Sequence, residues 1–322
     1  MRKLIYNKIS LILKLFVCIA ILFVLFRLVP YREILDAFKH SRKIYILFGF
    51  LIFLFIQLIA ILRWQFLLHS LGVKASFRDV FDASFAGLFF NLVFPSFIAG
   101  DVFKGFSIST FHGEAKKIAS SVLMDRFNGS FALGLVAFFS FLIGKHLLPQ
   151  EQKSITLSLV ILCLVIGFFS LLIFSKSFFI FFTNFFKKDS LLKKKLLNLQ
   201  EQLYFFRKKP SIFMKTLLYS LPVQILTSIS FFVISKAFGE NVGVIYFLIL
   251  VPIIMMIALV PITIAGGGTR ELAAIHFLQL IGINKNIAFS ISILNFVFTL
   301  LIGLLGGVFY VAVYHRRLQP RS

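Results

Sequence analysis

Acidic residues and cysteines are scarce in this sequence, and each shortage excludes a class of site. The 322 residues include only 12 Asp and Glu, against 34 Lys and Arg. The two cysteines, Cys18 and Cys163, lie in separate apolar runs, which excludes a disulfide framework and a cysteine-rich metal site. The six histidines form no ligand-spaced pair, so we expect no metal site.

Motifs for nucleotide binding and for familiar hydrolase chemistry are also missing. The sequence contains no P-loop, no nucleophile elbow and no dinucleotide fingerprint. We therefore expect no cofactor, no enzymatic activity and no ATP-driven pumping. Any transport is expected to be passive or coupled to an ion.

Hydrophobic residues dominate what is present. They make up 59% of the chain, charged residues make up 14%, and the mean hydropathy is +0.97. Soluble domains carry about a quarter charged residues, so the composition predicts an integral membrane protein. The net charge of +22 comes from basic residues clustered between apolar runs, without a nucleic-acid motif around them. The expected partners are therefore anionic lipid headgroups and not nucleic acid.

Apolar length and flanking charge predict an all-α polytopic fold with about six to eight transmembrane helices in a single domain, 1–322. The six simple spans are expected near 9–29, 44–62, 118–144, 154–175, 211–235 and 286–313. The first resembles a signal peptide but continues to Val29 without a cleavage site, so we expect it to stay uncleaved. Two further apolar stretches, 80–99 and 244–282, are interrupted by Pro and Gly and are not simple helices.

The basic residues suggest an orientation. Residues 176–215 contain ten Lys or Arg, and the positive-inside rule places this loop in the cytoplasm. If both broken stretches are re-entrant, six crossings remain and both termini are cytoplasmic. The loop at 27–43 disagrees, because it carries five basic residues yet would lie outside. Full crossings by both broken stretches would instead put the 176–215 loop outside, and the two topologies remain open.

Within that loop, residues 187–209 have the pattern of an amphipathic helix. Large apolar residues recur three or four positions apart, opposite lysines, which is typical of a helix in the headgroup layer. These apolar residues are Leu192, Leu196, Leu199, Leu203 and Phe206. A solvated basic linker is the alternative.

The two broken stretches share a motif, P-x-x-I-A-G-[DG]-x-x-[KR]. It begins at Pro95 and again at Pro261, which are 261 − 95 = 166 residues apart, with three full crossings between the copies. This arrangement predicts an inverted repeat, with halves at about 44–145 and 211–313. Freed backbone amides and the cations Lys104 and Arg270 would then bind an anionic headgroup at membrane depth. Ordinary loops with Pro and Gly as helix stops are the alternative.

Other polar residues allow two interpretations. Asp101 and Glu271 would pair with the neighbouring cations or carry protons. Asp125 and Arg126 would either neutralise each other or bind a headgroup. Polar Asn91 and Asn295 are expected to stabilise helix packing.

The two motifs resemble those of the integral membrane family that includes the flippase-like half of bacterial lysylphosphatidylglycerol synthase, the multiple peptide resistance factor. The family's second motif, roughly P-x-S-P-G-G-x-G-x-R-E, is met except that Ile264 and Ala265 replace Pro and the first Gly. In the first motif, roughly P-x-x-x-G-G-D-x-x-R, Ala99 and Lys104 replace Gly and Arg. The implied lipid-headgroup site comprises Pro95, Gly100, Asp101, Lys104, Asp125, Arg126, Pro261, Thr263, Gly266, Gly267, Gly268, Arg270 and Glu271.

The resemblance spans nearly the whole chain and implies lipid translocation without lysyl transfer. We expect a flippase-like protein of a bacterial or archaeal cytoplasmic membrane that moves an anionic, aminoacylated or polyprenyl-phosphate-linked lipid. One alternative is an accessory subunit that docks a lipid-modifying enzyme or glycosyltransferase through 187–209. Another is a membrane-embedded enzyme that uses Asp101 or Glu271 as a base.

Overall fold

The described part of the chain contains helices joined by loops and no strand in the computed structural model. It comprises residues 38–39, 41–93, 99–147, 152–184, 206, 208–259 and 269–311. Ten α-helices lie within it: α1 Lys43–Ser70, α2 Phe77–Val93, α3 Ala99–His112, α4 Ala115–Gly144, α5 Gln152–Phe174, α6 Lys176–Thr183, α7 Pro210–Ala237, α8 Val244–Ala258, α9 Thr269–Gln279 and α10 Lys285–Phe309. A 3₁₀ turn, Lys145–Leu147, follows α4.

Five of these helices, α1, α4, α5, α7 and α10, are long and apolar enough to cross a membrane. They confirm five of the six predicted simple spans. The sixth, 9–29, lies outside the described residues, as does most of 187–209. The span predicted at 44–62 was too short, because α1 continues to Ser70. Arg63 interrupts the hydropathy without ending the helix, since its side chain finds polar partners inside the protein.

Helices α1 and α7 lie side by side and antiparallel along most of their lengths. The Arg42 amide donates to the Ala237 carbonyl at 2.9 Å at one end of the pair. Nearer the other end, Arg63 NH1 donates to Ser220 Oγ at 3.0 Å. Small polar residues line α7 where it is buried, which allows close helix approach in a membrane protein. Helix α7 continues through Pro222 without ending.

The first broken stretch forms an antiparallel helical hairpin, made of α2 and α3 and called here the first hairpin. Next to the break, Asn91 Oδ1 accepts a hydrogen bond from the Gly100 amide at 2.7 Å. At the open end, His112 Nε2 lies 3.5 Å from Asp79 Oδ2. Between them, a Cβ placed on Gly87 would lie only 2.8 Å from the Gly100 carbonyl oxygen. The two helices therefore touch backbone to backbone, and residues 94–98 between them lie outside the described part.

The second broken stretch also contains two helices that pack on each other, α8 and α9. Residues 260–268 between them lie outside the described part. Helix α8 passes through Pro252, so this proline does not break the stretch. Both helices contribute to the largest buried apolar core.

Helices α4 and α10 each contact both broken stretches. One stretch packs on the N-terminal half of the helix, and the other packs on the C-terminal half. On α10, Leu92 of the first hairpin packs against Gly303, whereas Glu271 of α9 contacts Ser292 nearer the N-terminal end. On α4, the first hairpin contacts the N-terminal half, and Ile249 of α8 packs against Gly144 at the C-terminal end. The two broken stretches therefore approach these helices from opposite ends.

Candidate functional site

Five ionisable side chains of alternating sign form a continuous chain, called here the charge chain. Arg63 Nε donates to Asp125 Oδ1 at 2.7 Å, and Lys104 Nζ lies 3.3 Å from Asp125 Oδ2. Lys104 Nζ also lies 3.2 Å from Asp101 Oδ1, and Arg126 Nε donates to Asp101 Oδ2. The order Arg63, Asp125, Lys104, Asp101, Arg126 therefore alternates positive and negative charges from end to end.

Three helices supply these side chains. Asp101 and Lys104 lie three residues apart on α3, so they project from one face of the helix. Asp125 and Arg126 are adjacent on α4 and point in different directions, so each pairs with another residue and not with its neighbour. Arg63 reaches them from α1.

Most of the charge chain is buried inside the protein. The side chains of Arg63, Asp101 and Asp125 are each less than a tenth exposed, and Lys104 is 13% exposed. Asp125 lies ten residues after the first residue of α4, or about 15 Å along the helix axis. In a hydrocarbon layer about 30 Å thick, such charges are costly unless they are paired. Arg126 differs, with 45% of its side chain exposed.

Polar and aromatic neighbours extend the charge chain. Lys104 Nζ lies 4.7 Å from the centroid of the Trp64 ring, within range of a cation–π interaction. Trp64 Nε1 in turn donates to Ser121 Oγ of α4 at 3.1 Å. Two turns further along α4, Asn128 Nδ2 donates to Thr216 Oγ1 of α7 at 2.7 Å. The cluster is thus connected to α7, which belongs to the other half of the chain.

Sequence reasoning missed two members of this cluster, Arg63 and Trp64. Both lie just past the end predicted for the second span. A single arginine between two apolar segments of one helix is the signal that was available, since such a charge in a membrane helix usually faces a partner inside the protein. Asp82 of α2, 4% exposed, is a second buried charge that the sequence analysis did not single out.

Arg270 and Glu271 form a second charged group at the start of α9. Arg270 Nε and NH2 donate to Glu271 Oε1 at 3.1 and 2.7 Å, and both residues are less than a tenth exposed. The Arg270 guanidinium carbon lies 5.3 Å from the Phe296 ring centroid, and Ser292 Oγ lies 3.4 Å from Glu271 Oε1. A carboxylate in the first turn is also favoured by the helix dipole.

The remaining predicted site residues fall into two sets. Pro95, Pro261, Thr263, Gly266, Gly267 and Gly268 lie outside the described residues. Gly100 is described, and its amide donates to Asn91 Oδ1 at 2.7 Å; its headgroup-binding role stays a prediction. Asn91 therefore has the packing role predicted for it, as has Asn295, which accepts from Ser230 Oγ at 3.4 Å.

A surface depression lies away from the charge chain. It has a volume of about 1010 Å³ and is lined by apolar and small residues of α5 and the following Ser175. No member of the charge chain lines it, so its place on the outer face of α5 gives it no evident role in headgroup binding. Within the ranges that the structure describes, no three His, Cys, Asp or Glu side chains are grouped closely enough to hold a metal ion.

Comparison with known proteins gives one match over most of the chain. The model of the family described as the lysylphosphatidylglycerol synthase transmembrane region matches residues 11–307. The UPF0104 membrane protein MJ1595 of Methanocaldococcus jannaschii is 27% identical over 96 residues, which cover 29% of this chain and 29% of that protein. No solved structure matches.

Proposed function

This chain belongs to the lysylphosphatidylglycerol synthase transmembrane-region family, and from that premise we propose that it moves a phosphate-bearing lipid between the two leaflets of a membrane. The lipid is an anionic phospholipid, an aminoacylated phospholipid or a polyprenyl-phosphate-linked glycan. The protein acts on the position of the lipid and leaves its covalent structure unchanged. The membrane is the cytoplasmic membrane of a bacterium or archaeon, with both termini in the cytoplasm.

The charge chain is the observation that carries this proposal. A multi-pass membrane protein has no structural need for five ionisable side chains at one place, because an apolar core of similar volume is usually as stable. Charges inside the membrane typically mark the path of a polar substrate. A headgroup phosphate loses its water on entering hydrocarbon, and preorganised cations compensate for that loss.

The helix packing supports an inverted repeat with two re-entrant segments. In each half, a long helix is followed by a broken stretch and then by a second long helix. Helix α2 packs on α10, and its counterpart α8 packs on α4, as a twofold exchange of the halves requires. At the end opposite the break, Asp79 and His112 join the two helices of the first hairpin. This contact keeps the two ends of the segment together, as is expected of a segment that enters and leaves the membrane on one side.

In this arrangement each half contributes cations close to its break. Lys104 lies six residues after 94–98 in the sequence, Arg126 contacts Asp101 of the same helix as Lys104, and Arg270 lies two residues after 260–268. A headgroup that passes from one break to the other therefore meets positive charge on both sides of the membrane centre. Asp101, Asp125 and Glu271 hold the cations in place when no lipid is bound.

Leaflet exchange in liposomes tests the proposal. Purified protein is reconstituted with fluorescent anionic and zwitterionic lipids, and dithionite quenching reports how fast each lipid changes leaflet. Lys104→Ala and Arg270→Ala are each expected to slow exchange at least about tenfold, equivalent to about 1.4 kcal/mol of barrier. Glu114→Gln is the matched control, since Glu114 pairs with Lys117 at the exposed start of α4.

Lys104→Arg keeps a positive charge at this position, whereas Lys104→Ala removes it. A comparison of the two variants therefore distinguishes an effect of the charge from an effect on folding. Both variants are checked for correct insertion by size-exclusion chromatography in detergent. Normal exchange by the Lys104→Ala and Arg270→Ala variants would contradict the proposal. Mass spectrometry of the lipids after incubation completes the test, since a covalently altered lipid would indicate an enzyme.

A further inference from the structure

The buried face of α7 carries polar side chains midway along the helix. Four of these side chains each contact a neighbouring helix and are called here the polar seam: Thr216, Ser220, Gln224 and Ser230. Gln224 Nε2 donates to the Gly129 carbonyl of α4 at 3.1 Å, and Ser230 Oγ donates to Asn295 Oδ1 of α10 at 3.4 Å. All of them except Gln224 are fully buried, so the polar seam lies inside the protein.

The polar seam covers the distance between the charge chain and the second charged group. Ser220 contacts the charge chain directly. Ser230 follows ten residues later, about 15 Å further along the axis of α7, and there it contacts Asn295. Ser292 lies one turn from Asn295 on α10, and its hydroxyl lies 3.4 Å from Glu271 Oε1. Polar side chains therefore continue from one charged group to the other.

Asn128 shows that the polar seam is not fully hydrogen-bonded. This residue of α4 is fully buried, and its Nδ2 donates to Thr216 Oγ1 at 2.7 Å. Its Oδ1 has no hydrogen-bond partner in the part of the chain that the structure describes. Polar side chains that serve only helix packing usually have such atoms paired. Asn128 Oδ1 is therefore an acceptor that a water molecule or a headgroup hydroxyl can satisfy.

We propose that the lipid headgroup moves along the polar seam, between the charge chain and the pair of Arg270 and Glu271. This inference rests on the proposed function, because it names the path that joins the two charged groups. A phosphate that crossed about 15 Å of apolar interior would lose all of its hydrogen bonds. The hydroxyl and amide groups of the polar seam donate to it instead. They bind a phosphate less strongly than cations do, so the headgroup is not held midway.

The path is closed in this structure, since most of the polar seam is fully buried. It opens when α7 moves away from α4, and water enters together with the headgroup. A thiol placed in the polar seam is therefore expected to react with a water-soluble reagent, whereas a thiol buried in an apolar part of α7 is not.

Cysteine accessibility tests the path in the full-length protein in liposomes, with Cys18 and Cys163 replaced by serine. Ser230→Cys replaces only an oxygen by sulfur. The control is Ile234→Cys, one turn further along α7 at an equally buried position that packs against Gly49 in an apolar core. Ile234 is also nearer the end of α7, so a reagent that leaks in from that end reaches it first. The reagent is a sulfonated methanethiosulfonate, which stays in water.

The Ser230→Cys thiol is expected to react at least about tenfold faster than the Ile234→Cys thiol. Equal rates would overturn the inference, as would no reaction of the Ser230→Cys thiol.

Gln224→Met provides a second measurement, because it keeps the length of the side chain and removes the amide. Leaflet exchange of fluorescent phosphatidylglycerol should slow at least about tenfold. Binding of short-chain phosphatidylglycerol should be unchanged, as reported by the fluorescence of Trp64, the single tryptophan, whose ring centroid lies 4.7 Å from Lys104 Nζ. Ser235→Ala removes another fully buried hydroxyl of α7, outside the polar seam, and should change neither quantity.

Unchanged exchange in Gln224→Met would contradict the path. A loss of binding together with exchange in Gln224→Met, or an equal loss of exchange in Ser235→Ala, would show that these side chains serve the fold alone and would also overturn it.

The outcomes separate this inference from the proposed function. A reactive Ser230→Cys thiol without leaflet exchange of any lipid would refute translocation and leave a water-accessible polar seam. Leaflet exchange with an unreactive Ser230→Cys thiol would leave translocation standing and refute this path.

Discussion

Arg63 places a positive charge within the apolar helix α1, and this charge is stabilised there because Asp125 and Ser220 both contact it. The free-energy cost of burying this charge depends on those partners. Removing one member of a buried pair leaves the other charge uncompensated, which costs more than the pair itself contributes. Loss of an end member of the charge chain, such as Arg63, is therefore expected to destabilise the protein.

We accordingly expect Arg63→Gln to lower the free energy of unfolding by about 3 kcal/mol, because Asp125 then keeps only Lys104 as a charged partner. Lys117→Gln breaks an ion pair whose side chains are 39% and 52% exposed, and it should cost less than about 1 kcal/mol. Thermal unfolding of the detergent-solubilised protein, followed by circular dichroism, measures both. Equal losses in the two variants would show that the Arg63 pair is not buried in solution.

The family resemblance placed Asp101, Lys104, Asp125 and Arg126 in one candidate site, and the structure brings these four residues together. The partners were not predictable. Asp125 and Arg126 are neighbours in sequence, yet their partners come from other helices, and only the packing of α3 and α1 on α4 decides which carboxylate meets which cation. Arg63 was missed because a hydropathy profile treats an arginine as the end of a span, whatever its partner.

At the scale of the helix, the first hairpin depends on two glycines that let α2 and α3 touch. A Cβ on Gly87 would meet the Gly100 carbonyl oxygen at 2.8 Å, and the backbone has no flexible end that can move away. On the other side of α3, a Cβ on Gly105 would lie 3.4 Å from a Val122 methyl group, which is ordinary contact. A side chain at Gly87 is therefore expected to disturb the packing of the hairpin, whereas a methyl group at Gly105 is expected to be tolerated.

Gly87→Ala is expected to destabilise the protein by about 1–3 kcal/mol, because it forces α2 and α3 apart. Gly105→Ala should be neutral or should stabilise the protein by up to about 1 kcal/mol, since alanine favours helix over glycine. The difference between their unfolding midpoints measures the effect, and it cancels any general consequence of replacing glycine. A Gly105→Ala variant as damaged as Gly87→Ala would contradict the backbone contact.

The sequence predicted the existence of both broken stretches, since Pro and Gly interrupt them. It did not predict that α2 and α3 form an antiparallel hairpin, because their alignment depends on the Gly87 and Gly100 contact between residues 13 positions apart. Pro252 shows that a proline in an apolar stretch does not always end a helix. Helix α8 continues through it, because a proline inside a membrane helix is tolerated when neighbouring groups compensate.

For the whole molecule, the proposed re-entrant arrangement predicts which side of the membrane each loop faces. Single cysteines at Lys74 and Lys116, which flank the first hairpin, are expected to react with an impermeant maleimide from the cytoplasmic side. Cysteines at Asn241 and Lys285, which flank the second broken stretch, should react from the opposite side. All four positions are exposed in loops or at helix ends, so the labelling of a variant with Cys18 and Cys163 replaced by serine reports topology alone.

Labelling of the Lys74 and Lys116 positions from opposite sides would show that the first broken stretch crosses the membrane completely. The same comparison of Asn241 with Lys285 decides the second stretch. Charge counting could not settle this, because the loops at 27–43 and 176–215 are both rich in basic residues and favour conflicting topologies.

Pro222 gives α7 a mechanical property that the other long helices of the described part lack, since none of them has an internal proline. A proline cannot donate to the carbonyl four residues earlier, so α7 loses one hydrogen bond at Leu218 and bends there at lower cost than elsewhere. This point of the helix lies beside Ser220, through which α7 contacts Arg63 of the charge chain. Rocking of one end of α7 relative to the other would therefore pull directly on Arg63.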